Sequence, residues 1–315
     1  MSEHETALKK HPHAHGHGHA HADFTGADRR FIIGILLNTA FVATEIVFGL
    51  FADSMALLTD AAHNVSDVLG LALAWWAASL ARKKPTDTRT YGYRKAGILA
   101  ALANATLILT AVGGIAWEAA QRIGNPPDTE GGVMIIVAAV GVAVNTAAAL
   151  LFFKGRSSDI NIRAAFLHLA SDAAVSVGVV IAGLLILSTG RSWIDPAVSL
   201  VIAVVIVFGT WSLLKGSLAL AMDAVPPHID LKAVRAYLTQ LPDTKSVHDL
   251  HIWAMSPTET AMTVHICSDE PWPTERLRSV GADLKHRFST GHVTIQVEPH
   301  DDCVDPCPQD SWDTV

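Results

Sequence analysis

Positive charge is in short supply in this sequence. Of its 315 residues, 23 are Lys or Arg against 30 Asp or Glu, for a formal net charge of -7. That balance gives no general electrostatic grip on nucleic acid. Cysteine is scarce too: there are three, Cys267, Cys303 and Cys307. An odd, small count excludes an even disulfide framework and favours reduced thiols or metal ligands over a structural bridge. No secretory signal peptide is expected, because the first apolar block starts at Phe31 and is long enough to span a bilayer. No His-Glu-x-x-His is present, and no enzyme is expected. What the chain has instead is apolar bulk: half of it is hydrophobic and only 17% is charged. The apolar residues cluster in long blocks, which points to an integral membrane protein.

Six blocks approach the roughly 20 residues needed to cross a bilayer. They cover Phe31–Phe51, Ser54–Leu80, Ala96–Ala120, Gly132–Phe153, Ala164–Ser188 and Asp195–Ala221. Polar stripes at helical spacing, which a soluble bundle needs, are missing from them. The second connection holds Arg82, Lys83, Lys84, Arg89, Arg94 and Lys95, and the fourth holds Lys154, Arg156 and Arg163. The first has no Lys or Arg, the third only Arg122, the fifth only Arg191. Basic residues mark cytoplasmic loops, so six spans put both termini in the cytoplasm; the membrane expected is a bacterial inner membrane.

Four domains follow from composition. Residues 1–30 carry His11, His13, His15, His17, His19 and His21 between Pro, Ala and Gly. They cannot build a core and read as a disordered, metal-collecting cytoplasmic arm. Residues 31–222 are the six-span part. Residues 223–300 read as a helix, two strands, a helix and a strand, an α+β ferredoxin-like (αββαβ) domain that metal and dimer contacts would help stabilise. Residues 301–315 are an acidic tail with Cys303 and Cys307. Thiolates suit zinc or copper(I), but Asp301, Asp302 and Asp305 beside them would raise a thiol's pKa.

The second block carries Asp60, His63, Asn64 and Asp67 on one helical face, and the fifth carries His168 and Asp172 four apart. Ionisable groups inside a membrane are costly and mark pathways. Two His-x-x-x-Asp pairs offer two imidazoles and two carboxylates, a tetrahedral set for zinc that also tolerates cobalt, cadmium or iron(II). The two carboxylates cancel the ion's charge. A bland alternative is that His63 and His168 only bridge helices by hydrogen bonds. Asp60 and the buried acid Glu45 are candidates for a proton path or for support of the ligands. Asn38, Asn104 and Asn145 read as hydrogen bonders between helices.

Longer motifs carry a resemblance. They are Asp53-Ser-Met-Ala-Leu-Leu-Thr-Asp-Ala-Ala-His-Asn-Val-Ser-Asp67, Tyr91-Gly-Tyr-Arg-Lys95, Arg163-Ala-Ala-Phe-Leu-His-Leu-Ala-Ser-Asp172, Trp193-Ile-Asp-Pro196 and Val247-His-Asp-Leu-His-Ile-Trp253. From about Phe31 to Glu298 the chain resembles the cation diffusion facilitator family of zinc-type efflux transporters. The resemblance implies six spans, a cytoplasmic ferredoxin-like domain, a homodimer in the lipid bilayer, and exchange of divalent metal for protons. It also implies a second zinc site from His248, His265 and Glu298, with His292 as a possible fourth ligand. His251 has the opposite strand parity to His248 and is left out unless a bulge intervenes. Cys303 and Cys307 resemble the cysteine-bearing tail of animal relatives. Residues 81 to 95 contain no His, Cys or Glu, so no extra metal site is expected there. Where relatives carry an acid after Lys95, this chain has Ala96-Gly97, which removes one polar contact.

The expected function is therefore export of a divalent cation, zinc first, from the cytoplasm against protons. Zinc is expected both as cargo and as a structural ion of the cytoplasmic domain. The same ligands serve an exporter of cobalt, nickel, cadmium or iron(II). An intramembrane metallohydrolase needs an open position on its zinc and a nearby base, and a non-transporting sensor needs no metal at mid-bilayer.

Overall fold

The computed structural model describes residues 29–153 and 160–299. Six long helices come first: α1 (Arg29–Phe51), α2 (Met55–Ala81), α3 (Ala96–Arg122), α4 (Gly131–Phe152), α5 (Ile160–Thr189) and α6 (Ile194–Ala221). The last five are long and apolar enough to cross a membrane, and Thr39–Phe51 of α1 is a shorter apolar stretch. Phe51, Trp117, Ile136 and Phe208 stand largely exposed on these helices. So many bare large apolar groups are unsuited to water. Lipid accepts them, because each helix satisfies its own backbone.

The chain divides into two units, Met1–Ala61 with Ala119–Ile202, and Ala62–Glu118 with Ala203–Val315. In the first unit, small residues let helices approach. A Cβ on Gly183 of α5 would lie 2.7 Å from Ile135 and 3.1 Å from the Gly131 carbonyl of α4. A Cβ on Gly141 would meet Phe41 at 2.7 Å and Ser176 Oγ at 3.1 Å, which ties α1, α4 and α5. Such contacts replace the hydrophobic effect, which is weak between helices in lipid. Asp53, with φ +50, makes the turn from α1 to α2 and pairs with Arg122 at 2.5 Å.

In the second unit, Gly70 of α2 gives room to Asn104 of α3, whose Nδ2 is 2.8 Å from where a Cβ would stand. The C-terminal part of this unit holds α7 (Leu231–Thr239), β1 (Thr244–Ala254), β2 (Thr260–Ser268), α8 (Thr274–Phe288) and β3 (His292–Pro299). This is the αββαβ order expected from the sequence. Asp230 caps α7, its Oδ1 accepting from Lys232 N and Ala233 N at 2.9 and 3.3 Å. β2 is central, antiparallel to β1 and parallel to β3. The parallel pair needs a crossover, and α8 supplies it.

Strand alternation then sorts the side chains. Met262, Val264 and Ile266 of β2 join Leu250 and Ile252 of β1, Val234 and Leu238 of α7, and Val280 and Leu284 of α8 in one buried core. Removing a side chain such as Leu238 from this core would cost about 2–5 kcal/mol. The opposite sheet face carries Thr263, His265 and Cys267 of β2, the partners of His251, His248 and Ser246 on β1. On β3 it carries Thr294, Gln296 and Glu298. The core face holds the domain together, so the other face is free for chemistry.

Candidate metal centre

The helix that carries the first His-x-x-x-Asp pair is fixed at its start. Ser54 Oγ donates to Asp195 Oδ1 at 2.6 Å, Met55 N donates to Oδ2 at 2.6 Å, and Ala56 N to Oδ1 at 3.2 Å. A carboxylate from α6 thus satisfies the open amides at the positive end of α2. One turn on, the hydroxyls of Thr59 and Ser199 lie 2.7 Å apart. Two links between α2 and α6 therefore set the register of α2 before its polar face begins.

On α2, His63 Nε2 lies 4.0 Å from Asp67 Oδ2, and both side chains are partly buried. On α5, His168 Nε2 lies 3.7 Å from Asp172 Oδ2. Asp172 is buried and His168 half exposed. In each pair a ring nitrogen and a carboxylate oxygen face each other across one helical turn, as a spacing of four dictates. Asp60 is fully buried, and its Oδ2 accepts from Ser176 Oγ at 3.0 Å. Glu45 of α1 and Asn145 of α4 are buried as well.

The cytoplasmic candidates meet on the open sheet face. Glu298 lies between two imidazoles: Oε2 is 3.4 Å from His248 Nε2, and Oε1 is 2.9 Å from His265 Nδ1. Neither of those two nitrogens makes a hydrogen bond of good geometry, although both are buried. Nitrogen lone pairs turned toward a carboxylate in this way suit a cation held between them. The residues fit a resident metal ion, with His248, His265 and Glu298 to hold it. Its charge would bind the three strands together. Gln296 Nε2 donates to Glu298 Oε1 at 2.8 Å and fixes that carboxylate further.

Two features go beyond the expected ligand set. The β1–β2 register shifts between His248 and His251, and Asp249 sits there with φ +48. This bulge brings His251 onto the face of His248, opposite Thr263. The His251 ring is engaged by Asp249, Nε2 to Oδ1 at 2.7 Å, while Asp249 Oδ2 is 3.6 Å from His265 Nε2. Asp249 thus touches the ring nitrogen of His265 that is turned away from Glu298. Cys267 is the second feature. Its Sγ lies 3.7 Å from His248 Nδ1, and Cys267, His248 and Glu298 each offer a donor atom within 4.8 Å of the others. Cys267 is two residues from His265 and shares its face, so strand parity could have flagged it.

His292 is placed apart from this group. It pairs with Ala261 at the start of β3 and meets Tyr91 edge to face, 5.9 Å between ring centres. The expected fourth ligand is therefore not brought to Glu298, because the two stand six residues apart along the extended β3 strand. Cys267 is disulfide-bonded, against the expectation of no bridge: an odd count rules out a full framework but not a single bond. The arm with His11, His13, His15, His17, His19 and His21, and the tail with Cys303 and Cys307, lie outside the described residues.

The basic connection after α2 is tied to the C-terminal part of its unit. Lys95 Nζ reaches Asp223 Oδ1 at 2.5 Å, and Arg94 pairs with Glu259 in the β1–β2 turn. Gly97 packs against Pro257, whose Cγ would be 2.9 Å from an added Cβ.

Comparison with known proteins gives consistent matches. The family described as the cation efflux transmembrane domain matches residues 31–220, and that described as the cation efflux protein, cytoplasmic domain, matches residues 226–300. The chain is similar to the metal cation efflux system protein CzcD of Cupriavidus metallidurans, 36% identical over 286 residues, 90% of this chain and 89% of the relative. It is 34% identical over 273 residues to the zinc transporter ZitB of Yersinia pestis, covering 86% of this chain and 87% of that one. Among solved structures, a metal-bound C-terminal domain of the Cupriavidus CzcD transporter covers 22% of this chain and 99% of its own, at 38% identity and a TM-score of 0.21.

Proposed function

Because this chain belongs to the cation diffusion facilitator family of cation efflux transporters, multi-pass membrane proteins that export divalent metal and are not enzymes, we propose that its main cargo is Zn2+, carried out of the cytoplasm in exchange for protons. The transport ligands in this reading are His63, Asp67, His168 and Asp172. The observation that carries it is a pair of matched devices. Each is an imidazole facing a carboxylate one turn away, at 4.0 and 3.7 Å, on a helix apolar enough to cross a bilayer. Two such pairs supply two neutral nitrogens and two negative oxygens, which suit a tetrahedral, doubly charged ion.

Exchange follows from ligand chemistry. Metal binds deprotonated ligands, so protons compete for the same atoms. Histidine titrates near pH 6.5 when unperturbed, so the competition falls close to physiological pH. Where access alternates, metal loads on one side and protons displace it on the other. Asp60, held by Ser176, and Glu45 stand on the proton path in this reading. The distribution of basic connections puts both termini in the cytoplasm, and the spans lie in a bacterial inner membrane in this reading. His248, His265 and Glu298 hold a structural zinc in a domain through which the chain forms a homodimer. The arm (1–30) and the tail (301–315) collect metal and are dispensable for transport itself.

Purified protein in sealed vesicles with an imposed pH gradient tests this. Zinc should move opposite to the protons, so that uptake into an acidic lumen alkalises it in step. Zinc binding without flux would overturn export, and flux indifferent to collapse of the gradient would overturn exchange. Cobalt, nickel, cadmium and iron(II) competing in the same assay would rank the cargo.

A further inference from the structure

The connection between α2 and α3 concentrates positive charge in an otherwise acidic chain. Residues 82–95 carry Arg82, Lys83, Lys84, Arg89, Arg94 and Lys95 against a single acid, Asp87. These cations fall into two groups. Arg94 and Lys95 are engaged by Glu259 and Asp223 of the C-terminal part of the unit. Arg82, Lys83, Lys84 and Arg89 are exposed, and none of them has a carboxylate partner among the described residues. Arg82 reaches Ser79 Oγ at 3.5 Å, and Arg89 stacks on Tyr93, 4.9 Å from the ring centre.

The unneutralised cations are held in a folded segment. Thr86 and Arg89 exchange both backbone hydrogen bonds at 3.0 Å. Gly92 takes φ +67 and donates to the Arg89 carbonyl at 2.8 Å, and a Cβ on it would lie 3.2 Å from the Lys83 carbonyl. The connection thus folds back onto its own start. Groups already ordered lose less entropy when a ligand arrives. Trp75 and Trp76, each 55% exposed, precede Arg82 on α2. At 1.5 Å per residue they stand about 10 Å from it along the helix axis. Exposed indoles near the end of a span mark the level where acyl chains meet headgroups.

We propose that Arg82, Lys83, Lys84 and Arg89 form a binding surface for the phosphate of an anionic phospholipid, whose glycerol and upper chains lie on Trp75 and Trp76. Charge selects the partner. Cations without an internal acid to answer them favour a headgroup of net negative charge and gain little from a zwitterionic one. Apolar contact with the indoles selects a lipid over free phosphate. The surface stands independently of the cargo and of the direction of export.

Full-length protein in neutral detergent, titrated into fluorescent phosphatidylglycerol or phosphatidylcholine of the same short chains, tests this by anisotropy. Phosphatidylglycerol should bind at least about tenfold tighter, and about 0.5 M salt should erase most of that preference. Arg82→Gln/Lys83→Gln/Lys84→Gln/Arg89→Gln should bring the two lipids within about threefold of each other. The charge-keeping Arg82→Lys/Lys83→Arg/Lys84→Arg/Arg89→Lys should retain the preference. Equal affinity of the unmodified protein for both lipids would overturn the proposal, as would a preference that survives salt or the Gln substitutions. Trp75→Ala/Trp76→Ala should weaken both lipids alike, and unchanged binding would overturn the seat of the chains. Inorganic phosphate that displaces phosphatidylglycerol at equal concentration would overturn the lipid as partner.

Discussion

Asp249 and His265 face each other across a bulge, carboxylate Oδ2 to ring Nε2 at 3.6 Å, while the other nitrogen of that ring points at Glu298. A carboxylate behind an imidazole fixes its tautomer and raises its basicity toward a metal. Asp249 adopts φ +48, a conformation that Asn also accepts. Asp249→Asn should therefore keep the bulge and weaken zinc binding at the cytoplasmic site by about 10-fold or more. Calorimetry on the full chain with and without His248→Ala isolates that site. An unchanged affinity would remove Asp249 from the design.

Asp67→Ala and Asp172→Ala should each abolish zinc flux while leaving a folded protein. Each removes one of two negative charges that would balance the ion, and the remaining pair cannot neutralise it inside a membrane. Vesicle flux with a zinc-sensitive dye is the measurement. Substantial residual transport in either variant would sink the assigned ligands.

Asp195→Ala should lower thermal stability in detergent markedly. It strips the acceptor from Met55 N, Ala56 N and Ser54 Oγ, all buried. Hydrogen bonds to a charged acceptor contribute about 1.5–3 kcal/mol each. Asp195→Asn, which keeps one oxygen, should lose less. A melting temperature equal to wild type in both would show that α2 has another anchor.

The cytoplasmic domain should weaken in alkali through Tyr237. Burial first, then donation to Asp283 at 3.0 Å, holds its hydroxyl above the ordinary value of 10.0. As pH rises the unfolded chain gives up this proton before the folded one does. The stability it confers is full below pH 10.0 and is lost as pH climbs through the higher folded value. Denaturant midpoints for wild type and Tyr237→Phe should converge above pH 10.0. Comparison of the two separates Tyr237 from Lys245, which Asp269 also holds upward. A constant gap between the curves would contradict the shift.

Much of the fold was legible because its signals are local. Apolar runs gave the long helices to within a few residues, since lipid permits few other structures. Alternation gave the three strands, and Pro273 gave the start of α8. The spacing of four gave each intramembrane pair, because a helix repeats almost in register every fourth residue. What stayed hidden needed knowledge of a partner. Asp195 reads as the first turn of a helix, and only the fold shows it capping a different one. The bulge at Asp249 inserts a residue and flips the parity of His251, which alternation alone cannot foresee. Cys267 lies two residues from a named ligand, and the cysteine count favours metal or a reduced thiol for it, but the count alone does not assign it to this sheet face. His292 was carried to the cluster by resemblance, where the run of β3 separates them.

Gly131 and Gly183 face each other closely enough that a Cβ on either would lie 3.1–3.2 Å from the other's carbonyl oxygen, with Ile135, Ile186 and Leu187 packed around them. Two rods seated that deeply cannot slide past one another without collision. In the proposed exchange, any swing of α5 that carries His168 and Asp172 would take α4 with it, because the two helices are seated against each other at this point. Substitutions on α4 far from any ligand should then alter the rate of transport through the shared packing of the pair.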